Sequence, residues 1–190
     1  MRVIAGSAKG KRLQAPSGLD TRPITDRIKE ALFNVLSWNI EQAFFLDLFA
    51  GSGSVGIEAL SRGAEKVILV DKGNAAVKII KENLDNCGFK NNVEVFCMDV
   101  FKSLQYFQRQ GHKFDYIYVD PPFTNEKIFE EFMEAIDHVL ILDRDGIMII
   151  RTRRQKKMPE KLNTMQKYRV NNYGESTLHY YRLLEEVPEK

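Results

Sequence analysis

The chain has 190 residues, 44% of them hydrophobic and 28% charged, with a formal net charge of +2. That length carries one domain with a sizeable core, expected over 1–190. No run approaches the roughly 20 apolar residues of a membrane span, and the opening "MRVIAGSAKGKRL" lacks the apolar stretch of a signal peptide, so a cytoplasmic protein is expected.

Residues 1–40 have their own character. "MRVIAGSAKGKRLQAP" alternates around Gly6 and Gly10 as a small twisted hairpin, and "TDRIKEALFNVLSW" follows as an amphipathic helix that Thr25 can cap. Residues 1–29 are +5 and the remainder −3, because Arg2, Lys9, Lys11, Arg12, Arg22, Arg27 and Lys29 face only Asp20 and Asp26. Arg2, Lys9, Lys11, Arg12, Arg22 and Arg27 are therefore candidate contacts to nucleic-acid phosphates, on a basic appendage to a core over 41–190. A second basic run, "RTRRQKK" (151–157), reads either as a solvated face or as a further nucleic-acid contact.

From Phe44 onward apolar runs alternate with helical patterns. "FFLDLFA" precedes "VGIEALSRG", "KVILVD" precedes "NAAVKIIKENLDNCG", "NVEVFCMD" precedes "FKSLQYFQRQ", and "FDYIYVD" precedes "KIFEEFMEAIDHVL" and then "GIMIIRT". Such alternation predicts a doubly wound α/β fold with a mostly parallel sheet. Asn74 can cap the helix that Gly88 ends. "KYRVNNY" and "TLHYYRLL" flank Gly174 as an antiparallel hairpin at a sheet edge. Cys87 and Cys97 lack the spacing of a zinc site or redox pair and read as buried thiols, and no metal site is expected.

After the first core strand, "GSGSVG" places Gly51, Gly53 and Gly56 in a G-x-G-x-x-G pattern, and Asp71 ends the second strand. Strand, glycine turn, helix and acid come in the order of a site for a nucleoside-bearing cofactor, the glycines admitting the ligand and the acid accepting from ribose hydroxyls. NAD and S-adenosyl-L-methionine both fit so far. Asp47 sets an anion beside the loop, which opposes a pyrophosphate and suits the ammonium of the methyl donor; it can equally be satisfied by loop N–H groups. Asp99 can accept from an adenine amino group or cap the next helix. Phe49, Ser52, Lys72 and Val100 complete the expected cofactor-binding set.

"VDPPF" (119–123) ends the fourth strand at the edge where such sheets bind ligands. An exocyclic amino nitrogen is a poor nucleophile because its lone pair is delocalised. Two acceptors on its hydrogens, the Asp120 carboxylate and the Pro121 carbonyl, would aim that lone pair at a methyl group. Pro122 holds Pro121 extended, and Phe123 offers a stacking face for an extruded base. The plain alternative is a strand terminated by two prolines, with Phe123 in the core.

These residues resemble the RsmD-type methyltransferases. The likeness is carried by "RVIAGSAKGKRL", "TRPITDRIKEALFNVL", "DLFAGSGSVGIEALSRGA", "VDPPF" and "YGESTL". It implies a Rossmann-like class I S-adenosyl-L-methionine-dependent methyltransferase fold, seven-stranded with an antiparallel last strand. It further implies methylation of the exocyclic N2 of one guanine, at position 966, in 16S rRNA of the small ribosomal subunit or its assembly intermediate. Catalysis would fall to Asp120, Pro121, Pro122 and Phe123, in a monomer. Ile24 stands where the family pattern has a threonine, and "RTRRQKK" where it has a glutamate. Other readings are a DNA-adenine or protein-glutamine methyltransferase, an NAD oxidoreductase, which leaves Asp47 and the D-P-P-F run unexplained, and a non-catalytic RNA-binding assembly factor.

Overall fold

The structure, a computed structural model, describes residues 1–15, 24–36, 40–123 and 127–184. Short apolar runs form the parallel strands β1 (Phe44–Leu48), β2 (Lys66–Asp71), β3 (Val93–Cys97), β4 (Phe114–Val119) and β5 (Leu142–Arg153). The hairpin β6 (Met165–Tyr173) and β7 (Ser176–Leu183) joins them through β7, antiparallel to β5, in a seven-stranded sheet of order β3-β2-β1-β4-β5-β7-β6.

Side chains alternate across the sheet, and both faces are buried, as continuous apolar strands require. Phe45, Val67, Leu69, Tyr116, Tyr118 and Ile149 pack with α1 (Asp26–Leu36), α2 (Ser54–Ser61) and α3 (Asn74–Cys87). Leu46, Ile68, Val70, Ile117, Val119 and Ile150 pack with α4 (Val100–Arg109) and α5 (Lys127–Asp137) on the other face. The chain leaves β1 toward β2 and β3, then resumes on β1's other side with β4. The loops after β1 and β4 therefore diverge and leave a crevice at the carboxyl edge of the sheet.

The basic N-terminal segment is built into this domain. Its hairpin is a single antiparallel bridge between Arg2 and Arg12, while Val3, Ala8 and Leu13 enter the core shared with α1 to α3. Glu58 of α2, fully buried, accepts from the Ile4 and Ala5 N–H groups at 2.8 and 3.0 Å and from Arg62 Nε at 2.8 Å. Lys29 lies 3.4 Å from Glu58 and donates to the Arg2 carbonyl and Ser54 Oγ. A buried carboxylate needs such partners, so the segment and α2 hold each other in place.

Two local expectations are corrected. Asn74 is the first residue of α3 and does not cap it; Gly73 holds that position, with its N–H bonded to Asp71, and Asn74 Oδ1 accepts from Cys97 Sγ instead. Cys97 is exposed rather than buried, because β3 is an edge strand, and Cys87 is half-buried. Thr25 does cap α1 through the Ile28 N–H, and Gly88 ends α3 with φ of 82°. Among the described residues no helix is long and apolar enough to cross a membrane.

Candidate active site

The crevice is walled by the segments after β1, β2 and β4. Phe49, Gly51 and Gly53 have φ of 61°, 58° and 73°, so three left-handed residues turn the chain sharply after β1. At Gly53 an added Cβ would meet Leu69 at 3.0 Å and Ile80 at 3.3 Å, which reserves that position for packing between the loop, β2 and α3. A Cβ at Gly51 would meet nothing nearer than the Phe49 carbonyl at 3.9 Å, leaving its backbone open to a ligand. Phe49, a bulky residue in a conformation that side chains avoid, is held by an edge contact with Phe132.

The acids organise this turn. Asp71 accepts from the Gly51 N–H at 2.9 Å with one oxygen and from the Gly73 N–H at 2.8 Å with the other, and each oxygen keeps a lone pair for a further donor. Asp47 accepts from the Gly56 N–H at 2.9 Å and is 2% exposed. Burial pushes its carboxyl up to about 8; the Gly56 N–H opposes this, and the charges of Asp120 and Asp71 add to it. Asp99 caps α4 by accepting from the Phe101 N–H at 3.0 Å, and Val100 is buried as the first residue of that helix. Ser52 is buried, with its carbonyl bonded to Asn83, while the Lys72 side chain is exposed.

After β4, the Asp120 N–H reaches the Leu48 carbonyl at 3.3 Å, tying the D-P-P-F run to β1. The Asp120 side chain is 21% exposed, and its Oδ2 accepts from Arg151 Nη1 at 2.6 Å and from the Tyr118 hydroxyl at 3.3 Å. Burial raises its carboxyl above the usual range, against the pull of Arg151 and Tyr118. Pro121 is buried, and Pro122 and Phe123 are half-buried. The Phe123 ring carries the Arg151 guanidinium at 5.0 Å and that of Arg153 at 5.9 Å.

Arg151 and Tyr118 are site residues that the sequence reading missed. The run "RTRRQKK" is no uniform solvated face, because Arg151 is 2% exposed and turned to Asp120, whereas Arg153, Arg154 and Lys157 are exposed. The missed signal is register. Val119 pairs with Ile150, so the next residues, Asp120 just past the end of β4 and Arg151 within β5, come side by side. The basic candidates do not gather at the crevice. Arg2, bonded to Asp26, lies near the start of α2 through Lys29. Lys9, Lys11 and Arg12 are exposed; the turn carrying Lys9 is seated at the other end of α2, where Ser7 and Ala8 bond Ser61, about 10 Å along the helix, and the chain then runs back so that Arg12 bridges Arg2. Arg27 is exposed on α1, and Arg22 lies outside the described residues.

Asp47, Asp71 and Asp120 thus bring three carboxyl groups to one edge. That edge opposes a pyrophosphate and fits a nucleoside ligand bearing cationic groups. Sheet order, glycine turn and acids together define a Rossmann-like methyltransferase of class I. The fold has a counterpart in yhhF of Escherichia coli, described provisionally as a methyltransferase, with a TM-score of 0.83 and 30% identity, covering 96% of this chain and 97% of that one. The family described as Conserved hypothetical protein 95 matches residues 1–182, and the chain belongs to this family, the RsmD family of rRNA small-subunit methyltransferases. YlbH of Bacillus subtilis (strain 168), provisionally named an rRNA methyltransferase, is 36% identical over 182 residues, 96% of this chain and 98% of that one. Ribosomal RNA small subunit methyltransferase D of Haemophilus influenzae is 40% identical over 124 residues, 65% of this chain and 64% of that one.

Proposed function

We propose that this protein is a cytoplasmic enzyme that methylates the exocyclic N2 of guanine 966 in 16S rRNA, within the small ribosomal subunit or an assembly intermediate, using S-adenosyl-L-methionine. The observation that carries the reading is the placement of Asp120, with Pro121, Pro122 and Phe123 behind it, beside the glycine turn and the Asp47 and Asp71 carboxyl groups.

In this reading Asp71 accepts from the ribose hydroxyls, Asp47 faces the ammonium, and Gly51 lets the donor lie against the backbone. Phe49, Ser52, Gly53, Lys72, Asp99 and Val100 line the rest of its seat. When bound, the donor supplies an electrophilic methyl carbon whose bond to sulfur breaks as the bond to nitrogen forms, its electron pair returning to sulfur. Asp120 Oδ1 and the Pro121 carbonyl accept the two amine hydrogens and direct the nitrogen lone pair at that carbon. The nitrogen, cationic once methylated, then yields a proton to the Asp120 carboxylate, whose raised affinity for protons suits it to that task. Phe123 presents the face on which the extruded base stacks.

Incubation with methyl-labelled S-adenosylmethionine and, separately, naked 16S rRNA, small subunits and DNA tests the reading. Label at one guanine N2 of the rRNA supports it. Label in DNA or protein moves the enzyme to another acceptor, and binding without transfer makes it an assembly factor.

A further inference from the structure

We propose that Arg151 is the positioning residue of this site: it occupies one oxygen of Asp120, holds that carboxylate charged, and braces the Phe123 ring, so that Oδ1 alone is presented to the target amine. The proposal rests on the acceptor role of Asp120 given above. Its basis is geometric. Arg151 is 2% exposed, yet its charge is met at 2.6 Å by Asp120, and the same guanidinium lies 5.0 Å from the centre of the Phe123 ring. One side chain therefore touches the first and the last residue of the D-P-P-F run. Both contacts to the carboxylate, from Arg151 and from Tyr118, fall on Oδ2; among the described residues Oδ1 has no hydrogen-bond donor.

A carboxylate that orients an amine must be ionised and must not rotate. Burial works against the first requirement. The acids at this edge are Asp47 on β1 and Asp71 on β2, and it is Asp47 whose ionisation the charges of Asp120 and Asp71 oppose. On β4 the Tyr118 hydroxyl is neutral, its pKa raised well above 10 by burial. From β5 come Arg151 and, beyond the Phe123 ring, Arg153. Of these groups Arg151 is the cation in direct contact, so it offsets the burial of Asp120. The charge-assisted bond at 2.6 Å also fixes the carboxylate plane. The register of β4 and β5 makes the pair a property of the backbone, with Asp120 and Arg151 each one residue past the pair Val119 and Ile150.

The test compares Arg151→Met, Arg151→Gln and Arg151→Lys with the parent chain. The first readout is a carbon-detected NMR titration of the Asp120 carboxyl in donor-free protein. Removing an adjacent cation should raise its midpoint by about 1–3 pH units in the Met and Gln variants, with Lys falling between them and the parent. The second readout is the pH profile of methyl transfer to small subunits at saturating S-adenosylmethionine. Its acidic limb should move upward by the same amount, so that activity lost at neutral pH returns in part at higher pH, while donor affinity is undiminished. Gln keeps an N–H donor in place of the guanidinium and serves the comparison should the Met variant unfold. An unmoved Asp120 midpoint, or a loss of rate equal at every pH, overturns the proposal. Asp120→Ala, which removes the acceptor, separates it from the reading beneath. If Asp120→Ala turns over like the parent, the acceptor assignment itself fails; if it is slow while the Arg151 variants keep the parental midpoint, only the positioning role fails.

Discussion

Replacing Asp47 by asparagine should make this protein more stable at neutral pH and poorer at holding its methyl donor. The Asp47 carboxyl is 2% exposed, receives one N–H bond from Gly56, and is pushed up to about 8 from an ordinary 3.8. Between those values the folded chain keeps a proton that the unfolded chain has released, so stability falls as pH rises through the window and levels above it. Each unit costs about 1.4 kcal/mol, which bounds the cost of Asp47 near neutral pH at about 4 kcal/mol. Asparagine is neutral throughout and keeps an oxygen for the Gly56 N–H, so the slope should vanish with the substitution. In urea unfolding the variant should lead by about 1–2 kcal/mol near pH 5 and by several near pH 8. Calorimetry above pH 8, where the Asp47 carboxyl is ionised, should show S-adenosylmethionine bound more weakly by roughly 1.5 to 3 kcal/mol, through loss of the anion facing its ammonium. A stability gap that does not change with pH, or a variant less stable than the parent near pH 8, would refute the reasoning.

Asp71→Ala removes both the expected ribose acceptor and the carboxylate that ties Gly51 to Gly73; donor affinity measured by calorimetry should drop by roughly 1.5 to 3 kcal/mol. Asp120→Ala should cut the rate of methyl transfer by roughly tenfold or more while leaving donor binding nearly intact, as measured by single turnover beside calorimetry. Exchanging Lys9, Lys11 and Arg12 together for Ala should leave donor affinity unchanged, since all three are exposed residues of the N-terminal turn and its return strand and none belongs to the glycine loop. The same variant should bind small subunits less tightly, and its plot of log affinity against log salt should be flatter by up to about 0.9 for each duplex phosphate that is no longer neutralised. An unchanged slope would make that turn a structural cover for α2 and α3.

The elements of this fold lie in local patterns, and the sequence alone determines most of them. Five apolar runs alternate with amphipathic stretches, a glycine turn follows the first run, and two prolines stop the fourth. Each of these depends on the conformational preferences of residues close in the chain, as the left-handed angles at Gly51, Gly53 and Gly88 illustrate. Asp71 and Asp120 were legible for the same reason, because a strand that ends in an acid at the carboxyl edge of a parallel sheet has few places to point. The tertiary structure decided the relations between distant residues. Arg151 reads in sequence as one cation in a basic run, and only the pairing of β4 with β5 sets it against Asp120. Glu58 and Lys29, unremarkable as helix residues, become a buried pair that seats residues 1–15 because α1 and α2 pack on the same face of the sheet. The proton affinity of Asp47 is likewise a matter of surroundings. Burial and the fields of Asp120 and Asp71 set it, and those depend on distances through space that no spacing along the chain encodes.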